Sequence, residues 1–146
     1  MAGIALTPAE LREVFGDEDP TQHAEEAEQR WGDTEAYRDS RRRTSAWSKQ
    51  EWVEARDHGE RVEQGLADAL TAGLPADGPE AVALAREHRR HLARFGEVDV
   101  ARHRALADMY LEDERFTEHY DRRAPGLAVY VAAAVHAAAD LEEAGA

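Results

Sequence analysis

Apolar residues recur every three or four positions along this chain, and no segment alternates apolar and polar as a half-buried strand would. The pattern is strongest in the second part. Ser48-Lys49-Gln50-Glu51 is a capping box, in which a hydroxyl and an acid satisfy backbone N–H groups at a helix start. It opens a long helix with Trp52, Ala55, Val62, Leu66, Ala69 and Leu70 on one side, which Gly73 and Pro75 end. Asp77-Gly78-Pro79-Glu80 restarts the chain, and Val82, Leu84, Ala85, His88, Leu92 and Phe95 keep helical spacing until Gly96. A helix from about Asp99 is expected to bury His103, Leu106, Tyr110 and Leu111, and a short helical turn carries Phe116 and Tyr120. Ala124-Pro125-Gly126 begins the last helix, with Leu127, Tyr130, Val131, Ala134, Val135 and Ala138; its end, residues 142–146, is expected to fray.

The first part is built differently. Thr7-Pro8-Ala9-Glu10 supplies a cap, a proline at the first helical position and a glutamate to complete the box, and Gly16 stops that helix. Asp19-Pro20 starts a second, running to Trp31 before Gly32, and Asp33 or Thr34 caps a third that carries Tyr37. The apolar anchors here are scattered: Leu11, Val14, Phe15, Trp31 and Tyr37. Isolated helices of about ten residues are marginal in water. The asymmetry predicts one all-α domain over residues 1–146, with residues 1–45 a lid that orders when a ligand adds apolar surface and residues 48–146 a helical core, built from about 48 to 139.

Composition mostly excludes. The chain of 146 residues fits one domain and contains no cysteine, so disulfides and thiolate nucleophiles are ruled out. No apolar run reaches the roughly 18 residues of a membrane span, and the N-terminus shows no secretory signal, which makes the cytoplasm the expected compartment. The net charge is −13, and Arg41-Arg42-Arg43 is the tightest basic run, so direct DNA binding is not expected. His88, His91 and His103 have spacing that metal-binding helices use, but Arg89 and Arg90 would repel a cation, and no metal or other cofactor is expected. His103, among Val100, Leu106 and Ala107, reads as a half-buried core histidine or as a hydrogen-bonding partner for a ligand. The carboxylate pairs lie on solvated faces, no strained Gly-x-Ser-x-Gly turn occurs and no glycine-rich phosphate loop is present, so nothing points to catalysis. Trp31, Trp47 and Trp52 gather where the weak part meets the strong part; they read equally as core staples or as a stacking wall for a flat ligand. A groove for a partner helix, with no small molecule, is the alternative.

Leu6-Thr7-Pro8-Ala9-Glu10 and Glu13-Val14-Phe15-Gly16-Asp17 resemble the opening of the thiostrepton-recognition (TipAS) domain family. Glu28-Gln29-Arg30-Trp31-Gly32-Asp33-Thr34-Glu35-Ala36-Tyr37 is similar to that family's Arg-Trp-Gly element. Glu51-Trp52, Ala72-Gly73-x-Pro75-Ala76-Asp77, His88-Arg89, Met109-Tyr110 through Phe116-Thr117, and Ala124-Pro125-Gly126-Leu127-Ala128-x-Tyr130 follow in the same order. The resemblance implies a globin-like helical core and N-terminal helices that close over the ligand. It also implies a role as the drug-binding effector domain that is often fused to MerR-type regulators. The implied ligands are peptide-like antibiotics, either thiopeptides or albicidin. The implied roles are drug sequestration or effector signalling, with a longer MerR-type regulator as a further partner, and the domain is expected to be a monomer.

Two features depart from the family. No winged helix is expected before residue 6, so the sequence as read is not expected to bind a promoter by itself. The thiopeptide-binding members also carry a cysteine that adds to a dehydroalanine of the drug; its place falls near Val98, in a stretch one residue shorter here. Capture is therefore expected to be non-covalent. The expected ligand-binding residues are Phe15, Trp31, Tyr37, Trp47 and Trp52 from lid and junction, and Phe95, Val98, His103, Leu106 and Tyr110 from the core, with Arg41 to Arg43 at a polar edge.

Overall fold

Side-chain chemistry starts the helices where the sequence places them. Thr7 Oγ1 accepts the Glu10 N–H at 3.2 Å while Glu10 returns a carboxylate oxygen to the Thr7 N–H at 3.0 Å. Ser48 and Glu51 repeat the exchange at 3.2 and 3.1 Å. Thr34 Oγ1 takes the Tyr37 N–H, and Asp99 takes the Arg102 N–H. Each cap satisfies a donor that has no partner inside its own helix. Glycines with positive φ stand where the chain must turn: Gly16 (φ 61°) closes the first helix, and Gly126 (φ 82°) precedes the last.

A computed structural model describes residues 5–16, 29 and 32–145 (for Ala36 the backbone alone). Among the described residues there are seven helices and no strand. They are α1 (Pro8–Phe15), α2 (Glu35–Ser45), α3 (Lys49–Thr71), α4 (Pro79–Leu92), α5 (Val100–Glu112), α6 (Glu114–Asp121) and α7 (Leu127–Gly145). The helix expected from Asp19-Pro20 to Trp31 lies, except for Gln29, outside the described residues. No described helix is long and apolar enough to cross a membrane.

The contacts divide the chain into two compact units. The first takes the described residues up to His58 together with Ala93–Glu97; the second takes Gly59–Leu92 and the chain from Val98 onward. The boundary between these units thus falls inside α3. The reason lies in the first turns of that helix. Trp52 was expected to share one stripe with Val62 and Leu66, but it packs against Phe15, Trp47 and Phe95, all in the first unit.

In the second unit α7 packs on α4, α5 and α6. Its buried positions include Leu127, Val131 and Val135, interleaved with Ala128, Ala132, Ala134 and Ala138, small side chains that let neighbouring helices come close. Leu66 of α3 is fully buried. A Cβ added at Gly65 would lie 2.8 Å from the Leu84 side chain, so α4 runs close to α3 there.

Two expectations need correction. Leu111 is 46% exposed: α5 buries the His103, Ala107 and Tyr110 face, and Leu111 stands one residue round from it. The last helix, expected to fray from residue 142, is helical to Gly145 in this structure. Arg89 binds Glu142 at 2.8 Å, and Arg104 binds Glu143 at 3.2 Å and also Asp140.

Candidate functional site

The first unit is organised around four aromatic rings from three separate stretches of sequence. Phe15 is the last residue of α1, Trp47 lies in the link between α2 and α3, Trp52 is in the first turn of α3, and Phe95 follows α4. Trp52 is at the centre. Its ring centroid lies 5.6 Å from Phe15, 4.7 Å from Trp47 and 6.3 Å from Phe95, and Trp47 lies 5.1 Å from Phe95. The Phe15 and Trp47 rings meet Trp52 edge to face, at 75° and 70°. Polar contacts hold these stretches in place. Arg56 donates to the Val14 carbonyl at 2.7 Å, Lys49 meets Glu13 at 2.7 Å, Arg43 donates to the Ala93 carbonyl at 3.2 Å, and Arg94 donates to His58 Nδ1 at 2.9 Å.

Trp52 is 5% exposed, whereas Phe15, Trp47 and Phe95 are each half-buried. The cluster is therefore a partly open aromatic surface with one ring sunk inside it. The Trp52 Nε1–H is buried and has no hydrogen-bond partner among the described residues. A buried donor left unpaired costs about 1–3 kcal/mol.

Tyr37 belongs to the same unit, on α2, with the Arg41 guanidinium 5.8 Å from its ring centroid. The other two arginines of the basic run share Asp39, Arg42 at 3.5 Å and Arg43 at 3.0 Å. Trp31, the remaining aromatic expected at the site, lies outside the described residues.

The other four expected residues fall in the second unit. Val98 and Leu106 are half-buried; His103 and Tyr110 are interior, each 4% exposed. They join a buried polar chain that the sequence reading only half saw. His88 Nδ1 lies 2.9 Å from His103 Nε2, and His88 Nε2 lies 3.0 Å from the Tyr120 hydroxyl. The Tyr120 ring in turn packs on that of Tyr110, with centroids 5.1 Å apart. Burial, with neighbouring His103 and His91, lowers the His88 pKa to about 3. Burial, with Arg89 and His136, lowers that of His103 to about 4. Burial pushes Tyr110 up to about 12. Both imidazoles are thus neutral near pH 7. His88, although its neighbours Glu87, Arg89, Arg90 and His91 are charged or titratable, is only 1% exposed. Its spacing from Val82 and Ala85 was the available signal. Among the described residues no group of three or more His, Asp or Glu side chains could hold a metal ion.

A partly open aromatic cluster with one buried, unpaired N–H, carried on an all-helical chain, defines a class: a helical domain suited to binding an aromatic-rich ligand. Comparison narrows the class to a family. A family model for the TipAS antibiotic-recognition domain matches residues 23–138. The HTH-type transcriptional activator TipA of Streptomyces coelicolor is 41% identical over 134 residues, 91% of this chain and 53% of the relative. The HTH-type transcriptional regulator SkgA of Caulobacter vibrioides is 30% identical over 131 residues, 87% of this chain and 51% of that relative. The structure of nosiheptide in complex with TipAS, from a thiopeptide antibiotic multidrug resistance system of Streptomyces lividans, matches with a TM-score of 0.86 and 40% identity, over 95% of this chain and 98% of that one. The chain belongs to the TipAS antibiotic-recognition domain family. It spans about half the length of the curated relatives it matches. The all-α, globin-like class expected from the sequence holds.

Proposed function

We propose that this domain binds a bulky peptide-derived antibiotic, without a covalent bond, through the Phe15–Trp47–Trp52–Phe95 cluster. The observation that carries the proposal is the unpaired Trp52 Nε1–H buried among three further rings. Thiopeptides and albicidin are built from heteroaromatic or aromatic rings joined by amides. Such a ligand can stack on the half-buried rings and, where those rings part to admit it, offer a ring nitrogen or carbonyl to the buried indole donor. Trp31 and Tyr37 are proposed as further contacts. The Arg41 guanidinium over Tyr37 would extend the stacking edge.

The chain has no cysteine, so it offers no thiol for addition to a dehydroalanine. Binding is reversible, and the intact mass of the protein after denaturation from a nosiheptide complex should equal that of the free chain. A mass increase by one drug molecule would contradict this. The relatives are HTH-type regulators, which supports a role as the effector module of such a regulator, or as a monomeric cytoplasmic captor that lowers the free drug concentration.

Amide hydrogen exchange tests the reading. The helices α1 and α2 are only 8 and 11 residues long and depend on packing for their stability. Nosiheptide or albicidin should slow exchange across Pro8–Phe15, Glu35–Ser45 and residues 93–97. Unchanged protection in all three segments with both drugs would overturn the proposal.

A further inference from the structure

The second unit carries a cleft that the aromatic cluster does not use. Its polar lining is Arg86, Arg89, Arg90, His103 and Glu142. The small apolar side chains Ala85, Val100, Ala138 and Ala139 line part of it, and its polar groups are mostly cationic. That is unusual on a chain with a net charge of −13. Arg90 is paired with Glu87 at 2.7 Å. Arg89 spans both oxygens of Glu142, at 2.8 and 3.4 Å, so the cleft already seats one carboxylate in the fork of a guanidinium. Arg86 has no hydrogen bond or ion pair among the described residues.

The second observation is independent of the arginines. His103 is 4% exposed and lines the cleft. Its Nε2 is held by His88. Its Nδ1 has no partner among the described residues, and it is not among the fully sealed polar atoms. This nitrogen therefore meets open space, and the cleft is the space that His103 lines.

From Arg86 and the unpartnered His103 Nδ1 we infer that the cleft is a binding site for a carboxylate carried on a short apolar stem. The carboxylate lies between the Arg86 guanidinium and His103, and the stem lies against Ala85, Val100, Ala138 and Ala139. A carboxylate accepts, so His103 must present Nδ1–H. Its Nε2 then accepts from His88 Nδ1–H, and His88 Nε2 accepts from the Tyr120 hydroxyl. The hydrogen-bond chain can run in either direction, and the bound anion selects this one. No charge moves into the core, because both rings stay neutral. The inference does not rest on the antibiotic reading, and neither stands or falls with the other.

The test is a titration of the full chain, with its histidines labelled by 15N, at pH 7 and constant ionic strength. Sodium acetate or sodium butyrate replaces sodium chloride. Long-range 1H–15N spectra report which nitrogen of each ring is protonated. The expected result is a saturable shift of His103 Nδ1 to the protonated value, with amide shifts along residues 85–90. Butyrate should bind more tightly than acetate. Arg86→Gln, at an exposed position, should weaken both about tenfold. Tyr120→Phe removes the hydroxyl donor while keeping the ring, and should raise the share of the opposite His103 tautomer in the absence of acid. Equal shifts with chloride alone would overturn the inference. So would an unchanged affinity in Arg86→Gln, or amide shifts with no response at His103.

Discussion

A single nitrogen distinguishes Trp52 from a plain core aromatic. Its ring is as buried as a core residue should be, but its N–H has no acceptor among the described residues. Trp52→Phe keeps an aromatic ring and removes the donor. It should leave the free protein folded, since the loss of packing is offset by removal of an unsatisfied polar group, and it should weaken drug binding. A melting curve shifted as far as the affinity falls would assign Trp52 a structural role alone. The buried histidines make a second residue-scale prediction. The folded-state pKa of His88 lies near 3 and that of His103 near 4, both below the usual 6.5. Below about pH 6.5 the unfolded chain binds protons that the folded chain refuses. The contribution to stability is full above pH 6.5 and is lost as pH falls toward 4 and 3, on the order of a few kcal/mol. Urea unfolding at pH 7 and pH 4.5 should show this loss, and His88→Gln should flatten it; equal slopes in both proteins would contradict the assignment. Neither feature was legible in the sequence as such. The spacing of Val82, Ala85 and His88 marked the buried face, but the charged neighbours Arg89, Arg90 and His91 masked it. That His88 meets Tyr120, 32 residues away, is a tertiary fact that no local pattern encodes.

At the scale of elements the sequence was far more informative. Capping chemistry is local, and the Thr7, Thr34, Ser48 and Asp99 starts all form as their side chains dictate. Thr7→Ala should destabilise α1 by about 1 kcal/mol, read as faster amide exchange over Pro8–Phe15 with α7 unaffected; equal protection would mean that packing alone holds α1. The long helices fared differently by position. Leu66, Val131 and Val135 are buried as their periodicity requires, but α3 was expected to present one continuous stripe, and its first turns belong with the aromatic cluster. Periodicity tells which side of a helix is apolar and is silent on what covers it.

The whole molecule is an acidic chain of the TipAS family, helical among the described residues, in which the Trp52 aromatic cluster and the His88–His103–Tyr120 chain fall in different compact units. The expected site joined Phe15, Trp47, Trp52 and Phe95, which the fold does bring together, with Tyr110, which lies in the core beside Tyr120. Aromatic residues flagged the first group by composition; whether a ring faces a ligand or a neighbour depends on contacts far apart in sequence. The central claim, reversible capture of an aromatic, amide-linked drug by the Trp52 cluster, is tested most directly by calorimetric titration of nosiheptide and albicidin into the wild-type chain and Trp52→Phe. At least one drug should bind saturably at one molecule per chain and bind Trp52→Phe about tenfold more weakly. No binding of either drug to the wild-type chain, or equal affinity in the variant, would contradict the account.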